Sequence, residues 1–350
     1  MKVVRAEFAP FSLRLRRPLA TAQGTIQRRA GFVLRLHAED GLVGLGEASP
    51  AHWVGGEGLE ATERALAGMV GGAGPDGALA SSLSRSAACA LETAFLDLEA
   101  RAAGLTASER LGGPAPKPIR CSVLLVEAAP ERLVGETERA LEEGARSLKL
   151  KVGGAPAEDL RRVECVRRVA GPTVAITLDA NRAWSFHEAC GMLEGFSPFE
   201  PALVEEPLRS HDLGELARLR AATGVPIALD ESLRDLEDVE RVATEGAADV
   251  LVLKLARLGG PRSLMAVAGR AQAVGLRVVL TDSIETAIGR SAVMHAACAL
   301  SIRDVGLGGV RLLAEDVDGG GSSAVVFTPR GPGLGVTLAP GFERSLRWHV

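Results

Sequence analysis

The chain has 350 residues, 47% of them apolar, with 41 glycines and a formal net charge of −4. That length suits one large barrel plus a smaller domain, and the charge points away from nucleic acid or an anionic membrane as a partner. Five scattered cysteines without a CxxC pair argue against a zinc knuckle or a disulfide framework and fit a reducing cytoplasm.

The N-terminus, MKVVRAEFAPFSLRLRRPLA, lacks the apolar core of a signal peptide. No run of about 18 apolar residues predicts a transmembrane helix. VVRAEFAPFSLRL and AGFVLRLHAEDGLVGLGEA read as extended segments, the second turning at EDG, which predicts an antiparallel meander. Residues 81–103 carry a helical stripe through Ala88, Leu91, Ala94, Phe95 and Leu98. LGGPAPKP (111–118) is a Gly/Pro linker. The expected domains are therefore an α+β domain over 1–112, a (β/α) barrel over 113–320, and a segment over 321–350 that packs back on the first.

After the linker, short apolar strands alternate with amphipathic helical stretches. Strands are predicted at 119–125, 147–152, 174–181, 201–207, 226–232, 250–256 and 277–283, recurring every 24–28 residues. Seven or eight such units imply an α/β fold with a closed TIM-like barrel of the (β/α)7β type.

In a parallel barrel the site forms at the C-terminal ends of the strands. Five consecutive strands end here in charge: Lys149 and Lys151, Asp179, Glu205, Asp230, and Lys254. Residues i and i+2 of a strand share a face, so Lys149 and Lys151 point one way while Leu148, Leu150 and Val152 point the other. A single such Asp could be a helix N-cap. Five charged strand ends at matching positions call for a common purpose.

Three carboxylates at about 5 Å separation and an effective dielectric of about 20 repel pairwise by roughly 3 kcal/mol. A divalent cation removes that cost. All-oxygen ligands select a hard ion, Mg²⁺ first and Mn²⁺ second. Lysine is a poor base near neutral pH, but a second ammonium about 6 Å away costs it roughly 2.8 kcal/mol, or about two pKa units. Lys149 is thus expected to keep Lys151 neutral enough to take a proton, and to meet a substrate carboxylate. Removal of the proton α to a metal-bound carboxylate gives an enediolate. The expected partner is a small-molecule carboxylate. A Schiff-base aldolase is a rival use of a barrel lysine, but the carboxylate triad argues against it.

KLK, LDAN, EEP, LDES and LKLARLGG, in this order and spacing, resemble the enolase superfamily, muconate-lactonizing subgroup. Sites of that superfamily use a Lys or His base together with Mg²⁺. The resemblance implies that the N-terminal third and the C-terminal tail form a capping domain, with RRPLATAQGT and GLVGLGEASP as loops facing substrate. It implies metal ligation by Asp179, Glu205 and Asp230, acid/base work by Lys151, and a lysine on the opposite face, Lys254. Glu206 is then expected behind the ligands or at the surface.

RRPLATAQGT, LDANRAW, TGVPIALDESLRD and TDSIETAIG look most like o-succinylbenzoate synthases of menaquinone biosynthesis. Dipeptide epimerases of the subgroup usually carry Asp-x-Asp after the eighth strand. Here Asp304 is followed by Gly306. An epimerase or an N-succinylamino acid racemase is the alternative. Asn181, Asp282, Ser283 and Glu285 are expected to support substrate or the lysines. His52 and Trp53 lie in the capping loop.

Overall fold

The computed structural model describes residues 2–21, 24–51, 53, 56–71, 83–303, 305–320, 326–327 and 331–350. The chain folds as two compact units, one comprising residues 1–119, 254–266 and 280–350, the other 120–253 and 267–279.

The first unit holds an antiparallel sheet of β1 (Val3–Thr21), β2 (Gly24–Ala38) and β3 (Val43–Ala48) in that order, the expected meander. Alternation sets the faces of β1: Phe11, Leu13 and Leu15 are buried while Ser12, Arg14 and Arg16 are exposed. The sheet turns between β2 and β3 at Gly41, in the left-handed region at φ 85. The predicted helix is observed over Arg85–Ala103, where the Ser84 hydroxyl accepts from the Ala87 amide and caps its start; residues 81 and 82 of the predicted stretch lie outside the described residues. It ends at Gly104, a left-handed cap.

This helix packs against β3 at backbone distance. A Cβ at Gly46 would lie 1.9 Å from the Ala90 carbonyl oxygen, and one at Gly44 2.2 Å from that of Ala94. Phe8, Phe32, Leu34, Leu36, Leu91 and Leu98 close the core between helix and sheet. Asp97, fully buried on the helix, accepts from the amides of Leu45 and Leu334 at 2.9 and 2.7 Å and from Arg101 at 2.9 Å. It thereby ties helix, β3 and tail together. The tail also exchanges backbone hydrogen bonds between Phe8 and His349 and lays Trp348 under the Arg35 guanidinium, so its last residues pack on the N-terminal sheet.

The predicted strand over 119–125 divides. β4 (Ile119–Arg120) pairs with β13 (Val326–Phe327), and only β5 (Val123–Leu125) joins the parallel sheet. That sheet continues through β6 (Ser147–Lys151), β7 (Ala175–Asp179), β8 (Leu203–Glu205), β9 (Ile227–Leu229), β10 (Val250–Lys254), β11 (Arg277–Thr281) and β12 (Val305–Gly306). The strands follow one another in sequence order with helical crossovers, which is the expected (β/α)7β barrel topology. Leu255 and Ala256, expected to finish a strand, instead begin a short helix Leu255–Leu258. That segment docks on the capped helix of its own unit: Arg85 Nη1 donates to the Arg257 carbonyl at 2.9 Å, and the Arg262 amide to Glu92 at 3.0 Å.

Leu203, Ala228, Val250 and Val252 form a buried cluster with Val279. Leu203, Ala228 and Val252 lie two residues before Glu205, Asp230 and Lys254. An apolar layer therefore underlies the layer of charge. Among the described residues no helix is long and apolar enough to cross a membrane.

Candidate active site

Strand register brings the charged residues of the second unit into line. Lys149 pairs with Thr177, Lys151 with Asp179, and Asp179 with Glu205. Glu205 pairs with Ala228, two residues before Asp230 on the same face. Asp179, Glu205 and Asp230 are each at most 3% exposed. Ionised carboxylates reach such burial only with compensating charge.

Lys149 supplies it. Its Nζ lies 2.9 and 2.7 Å from the two oxygens of Glu205 and 3.0 Å from Asp179 Oδ2. Burial alone lowers the pKa of this ammonium. The fields of Asp179, Glu205 and Asp230 outweigh burial and raise it above the ordinary lysine value. Lys151, half-exposed, has its Nζ 3.4 Å from Asp179 Oδ2 and hydrogen-bonded to Asn181 Oδ1. The two lysines therefore divide their surroundings: Lys149 turns into the carboxylates, while Lys151 faces open space with one carboxylate and one amide to orient it.

Among the described residues, no three His, Cys, Asp or Glu side chains are grouped tightly enough to hold a metal ion as they stand. The donor chemistry nonetheless fits a hard divalent cation. Three buried carboxylates sit on neighbouring strands, and they already hold one cationic group, Lys149. A metal taken up by Asp179, Glu205 and Asp230 competes with that ammonium.

Glu206 is 1% exposed, so it is buried and not at the surface. It accepts from the amides of Asp230 (2.9 Å) and Ser232 (2.7 Å), from the Ser232 hydroxyl (3.1 Å), and from Arg182 Nε (3.4 Å). It fixes the turn that carries Asp230. Asn181, Arg182 and Glu206 all have positive φ (42, 61 and 43), so both turns are strained where the charged side chains leave their strands. Sequence reasoning missed the roles of Arg182 and Ser232. The doubled Glu of EEP was the available signal for Glu206.

Asp282, Ser283, Glu285 and Lys254 belong to the first unit. Glu285 is 3% exposed and accepts from the Ser283 amide. The field of Lys254 reaches Asp282. Beside them Arg29 is buried, donating to the carbonyls of Ile284 (3.1 Å), Ala30 (2.9 Å), Pro50 (2.8 Å) and Ser49 (2.7 Å), and it lies 4.9 Å from the Trp53 ring centroid. Glu47 accepts from the amides of Thr286 and Gly289, at the start of the helix Ala287–Ala299. Neither Arg29 nor Glu47 was singled out from sequence. His52 and Asp304 lie outside the described residues.

The chain has five lysines, Lys2, Lys117, Lys149, Lys151 and Lys254, against 35 arginines. Three of the five stand at strand ends of the barrel. An ammonium is a compact point charge that a planar guanidinium does not reproduce, which distinguishes these positions from the arginines elsewhere.

Comparison with known proteins agrees with this geometry. The family model for the enolase C-terminal domain-like fold matches residues 132–341, and that for the mandelate racemase / muconate lactonizing enzyme N-terminal domain matches residues 6–112. Muconate cycloisomerase 1 of Pseudomonas putida is 30% identical over 350 residues, covering 93% of this chain and 92% of that protein. An o-succinylbenzoate synthase of Thermobifida fusca is 39% identical over 215 residues, covering 59% of this chain and 65% of that protein. A dipeptide epimerase of Enterococcus faecalis, solved with Mg and the dipeptide L-Leu-L-Tyr, superposes with a TM-score of 0.89 at 25% identity, covering 96% of this chain and all of that one. Matched from its N-terminal sheet through its lysine- and carboxylate-tipped strands, the chain belongs to the mandelate racemase and muconate lactonizing enzymes of the enolase superfamily.

Proposed function

We propose that the protein is an o-succinylbenzoate synthase, which removes water from 2-succinyl-6-hydroxy-2,4-cyclohexadiene-1-carboxylate. One observation weighs against the dipeptide epimerases among the family's reactions. Gly306 ends β12 in register with Thr281, and a Cβ there would lie 2.9 Å from the Thr281 methyl carbon. The second Asp of the pair usual in dipeptide epimerases is absent here, and a side chain at 306 would require the Thr281 side chain to shift. A substrate ammonium thus lacks that partner, whereas the synthase substrate carries none. The 39% identity to the Thermobifida synthase supports the same choice.

Asp179, Glu205 and Asp230 would hold Mg²⁺, which when bound polarises the substrate carboxylate and acidifies its α-proton. Lys151 as the free amine takes that proton, held in place by Asp179 and Asn181. The electron pair left on the α-carbon is delocalised into the substrate carboxylate. The carbon–oxygen bond to the hydroxyl then breaks, the ring becomes aromatic, and the proton on Lys151 leaves with hydroxide as water. Lys254 remains cationic throughout and stabilises the transient negative charge. Lys149 stays protonated beside the carboxylates.

The test is a parallel assay of the cyclohexadiene acid, a panel of L,L-dipeptides and N-succinyl amino acids, with Mg²⁺ and with excess EDTA. Preferred turnover of the cyclohexadiene acid, abolished by EDTA and restored by Mg²⁺, is expected. Faster turnover of any dipeptide, or full activity in EDTA, overturns the assignment.

A further inference from the structure

A line of polar contacts runs along the rim of the barrel behind Lys151. Lys151 Nζ donates to Asn181 Oδ1, and Asn181 Nδ2 donates to Glu231 Oε1 at 3.1 Å. Lys151 ends β6, Asn181 follows β7 and Glu231 follows β9, so the Asn181 carboxamide reaches past the end of β8. Both turns hang from Glu206. The amides of Asp230 and Ser232, on either side of Glu231, donate to its Oε1, and the Arg182 amide donates to its carbonyl at 2.7 Å. Asn181 itself is held at φ 42, a region asparagine enters more readily than most residues, with its amide 3.2 Å from Asp179 Oδ1. Glu231 Oε2 is buried without a hydrogen-bond partner among the described residues, so the carboxylate is committed to Asn181 through its other oxygen.

The direction of these bonds matters to a lysine that takes a proton. A carboxamide offers an acceptor at one end and donors at the other, whereas an ionised carboxylate only accepts. Glu231 therefore admits the amino end of Asn181 and turns the oxygen toward Lys151. A free lysine amine has two N–H bonds and one lone pair. Asn181 Oδ1 and Asp179 Oδ2, the latter 3.4 Å from Nζ, accept the two hydrogens. The lone pair is left in the remaining tetrahedral position, on the open side. With the carboxamide turned round, Nδ2 would donate into that lone pair and occupy the electrons that must take the proton.

We propose that Glu231 is a positioning residue for Lys151: by fixing which end of the Asn181 carboxamide faces the amine, it keeps the lone pair of Lys151 free for the substrate proton. A carboxylate is needed at 231 for this, because glutamine would present either end of its own carboxamide and alanine neither. The proposal rests on the acid/base role given to Lys151, which dehydration and racemisation share, and not on the choice between them.

Two measurements test this. The first is kcat and KM at saturating Mg²⁺, on whichever member of the substrate panel the wild-type protein turns over. Glu231→Ala should lower kcat by about tenfold, equivalent to about one hydrogen bond, with KM changed by less than about twofold. Glu231→Gln, of the same shape, should lie between. Asn181→Gly, which suits φ 42, removes the carboxamide, and in that background Glu231→Ala should have no further effect. An unchanged kcat, losses that add, or a change in KM alone overturns the proposal. The second measurement needs no turnover. Acetylation of Lys151 by acetic anhydride, followed by mass spectrometry and referred to Lys2 and Lys117, should slow by at least about threefold in Glu231→Ala and recover in the double variant. Unchanged acetylation overturns the proposal whatever the substrate, so its failure is told apart from failure of the substrate assignment. Should Glu231→Ala fail to fold, Glu231→Gln carries both measurements, with falls of the same sense and smaller size.

Discussion

Lys149 Nζ bridges both carboxylate oxygens of Glu205, at 2.9 and 2.7 Å, so a side chain of the protein holds the cationic place among the carboxylates. The two-lysine spacing suggests an ammonium acting mainly on Lys151. In the structure its charge is compensated by Glu205 and Asp179. A metal entering these carboxylates must therefore compete with it. Lys149→Met should tighten Mn²⁺ binding, followed by electron paramagnetic resonance, by about tenfold, equivalent to about 1.4 kcal/mol. Turnover should fall in the same variant because a substrate carboxylate loses a cation. Metal affinity that is unchanged or weaker would show that Lys149 supports the metal site instead.

Glu206 predicts a different outcome. Glu206→Ala leaves the buried amides of Asp230 and Ser232 without acceptors, at roughly 1–3 kcal/mol each. Chemical denaturation should show a loss of about 2–4 kcal/mol. Mn²⁺ affinity should fall as well, because the turn carrying Asp230 is released. Glu206→Gln keeps one acceptor oxygen and should recover part of both. A variant with wild-type metal affinity would mean that Asp230 is fixed by other contacts.

What the sequence made legible follows from physical periodicity. Charged residues at the ends of β6 to β10 stand out because each follows a buried apolar run, and strand alternation assigns their faces without coordinates. The barrel follows from the regular recurrence of such strands. Arg29 and Glu47 are not legible in this way. Their partners are backbone groups far along the chain, Ile284 for Arg29 and Gly289 for Glu47, and no local pattern encodes such bonds. The ends of elements escape for the same reason. Whether Leu255 continues a strand or opens a helix is settled by docking of the following segment on the helix that carries Arg85 and Glu92. The scarcity of lysine was a readable signal of another kind, and it marks Lys149, Lys151 and Lys254 without any structural reasoning.

His295 gives a pH-dependent expectation. It is fully buried in the helix Ala287–Ala299, and its Nδ1 accepts from the Ser108 amide at 3.1 Å. That bond requires the neutral ring. Burial lowers its pKa to about 4, below the ordinary value near 6.5. Between these values the unfolded chain binds a proton that the folded chain refuses, so stability falls as pH drops from 6.5 to 4 and is constant on this account above 6.5. The full loss is roughly 3 kcal/mol. Denaturation midpoints across that window should flatten in His295→Gln, whose amide oxygen can still accept from Ser108. An unchanged slope in that variant would place the titrating group elsewhere.

The two outer lysines should separate by the kind of work they do. Under the proposed dehydration only Lys151 would move protons, taking the α-proton and returning it with hydroxide, while Lys254 would act through charge. Lys151→Ala removes proton transfer, a contribution of about 10²–10⁴ in rate, and more if both steps depend on it. Lys254→Arg keeps a cation in altered geometry, so dehydration should survive in part, whereas Lys254→Ala should lose far more. A 1,1-proton transfer between enantiomers makes the opposite demand. There both lysines must titrate, and arginine at 254 is as inactive as alanine because it does not release its proton near neutral pH. The α-proton of an N-succinyl amino acid, exchanged in D₂O from each enantiomer separately, distinguishes the cases. Lys254→Arg should retain exchange from the enantiomer that presents its proton to Lys151 and lose it from the other, while still dehydrating the cyclohexadiene acid. If every activity falls equally in Lys254→Arg and Lys254→Ala, Lys254 is a proton-transfer group and the chain is better described as a racemase.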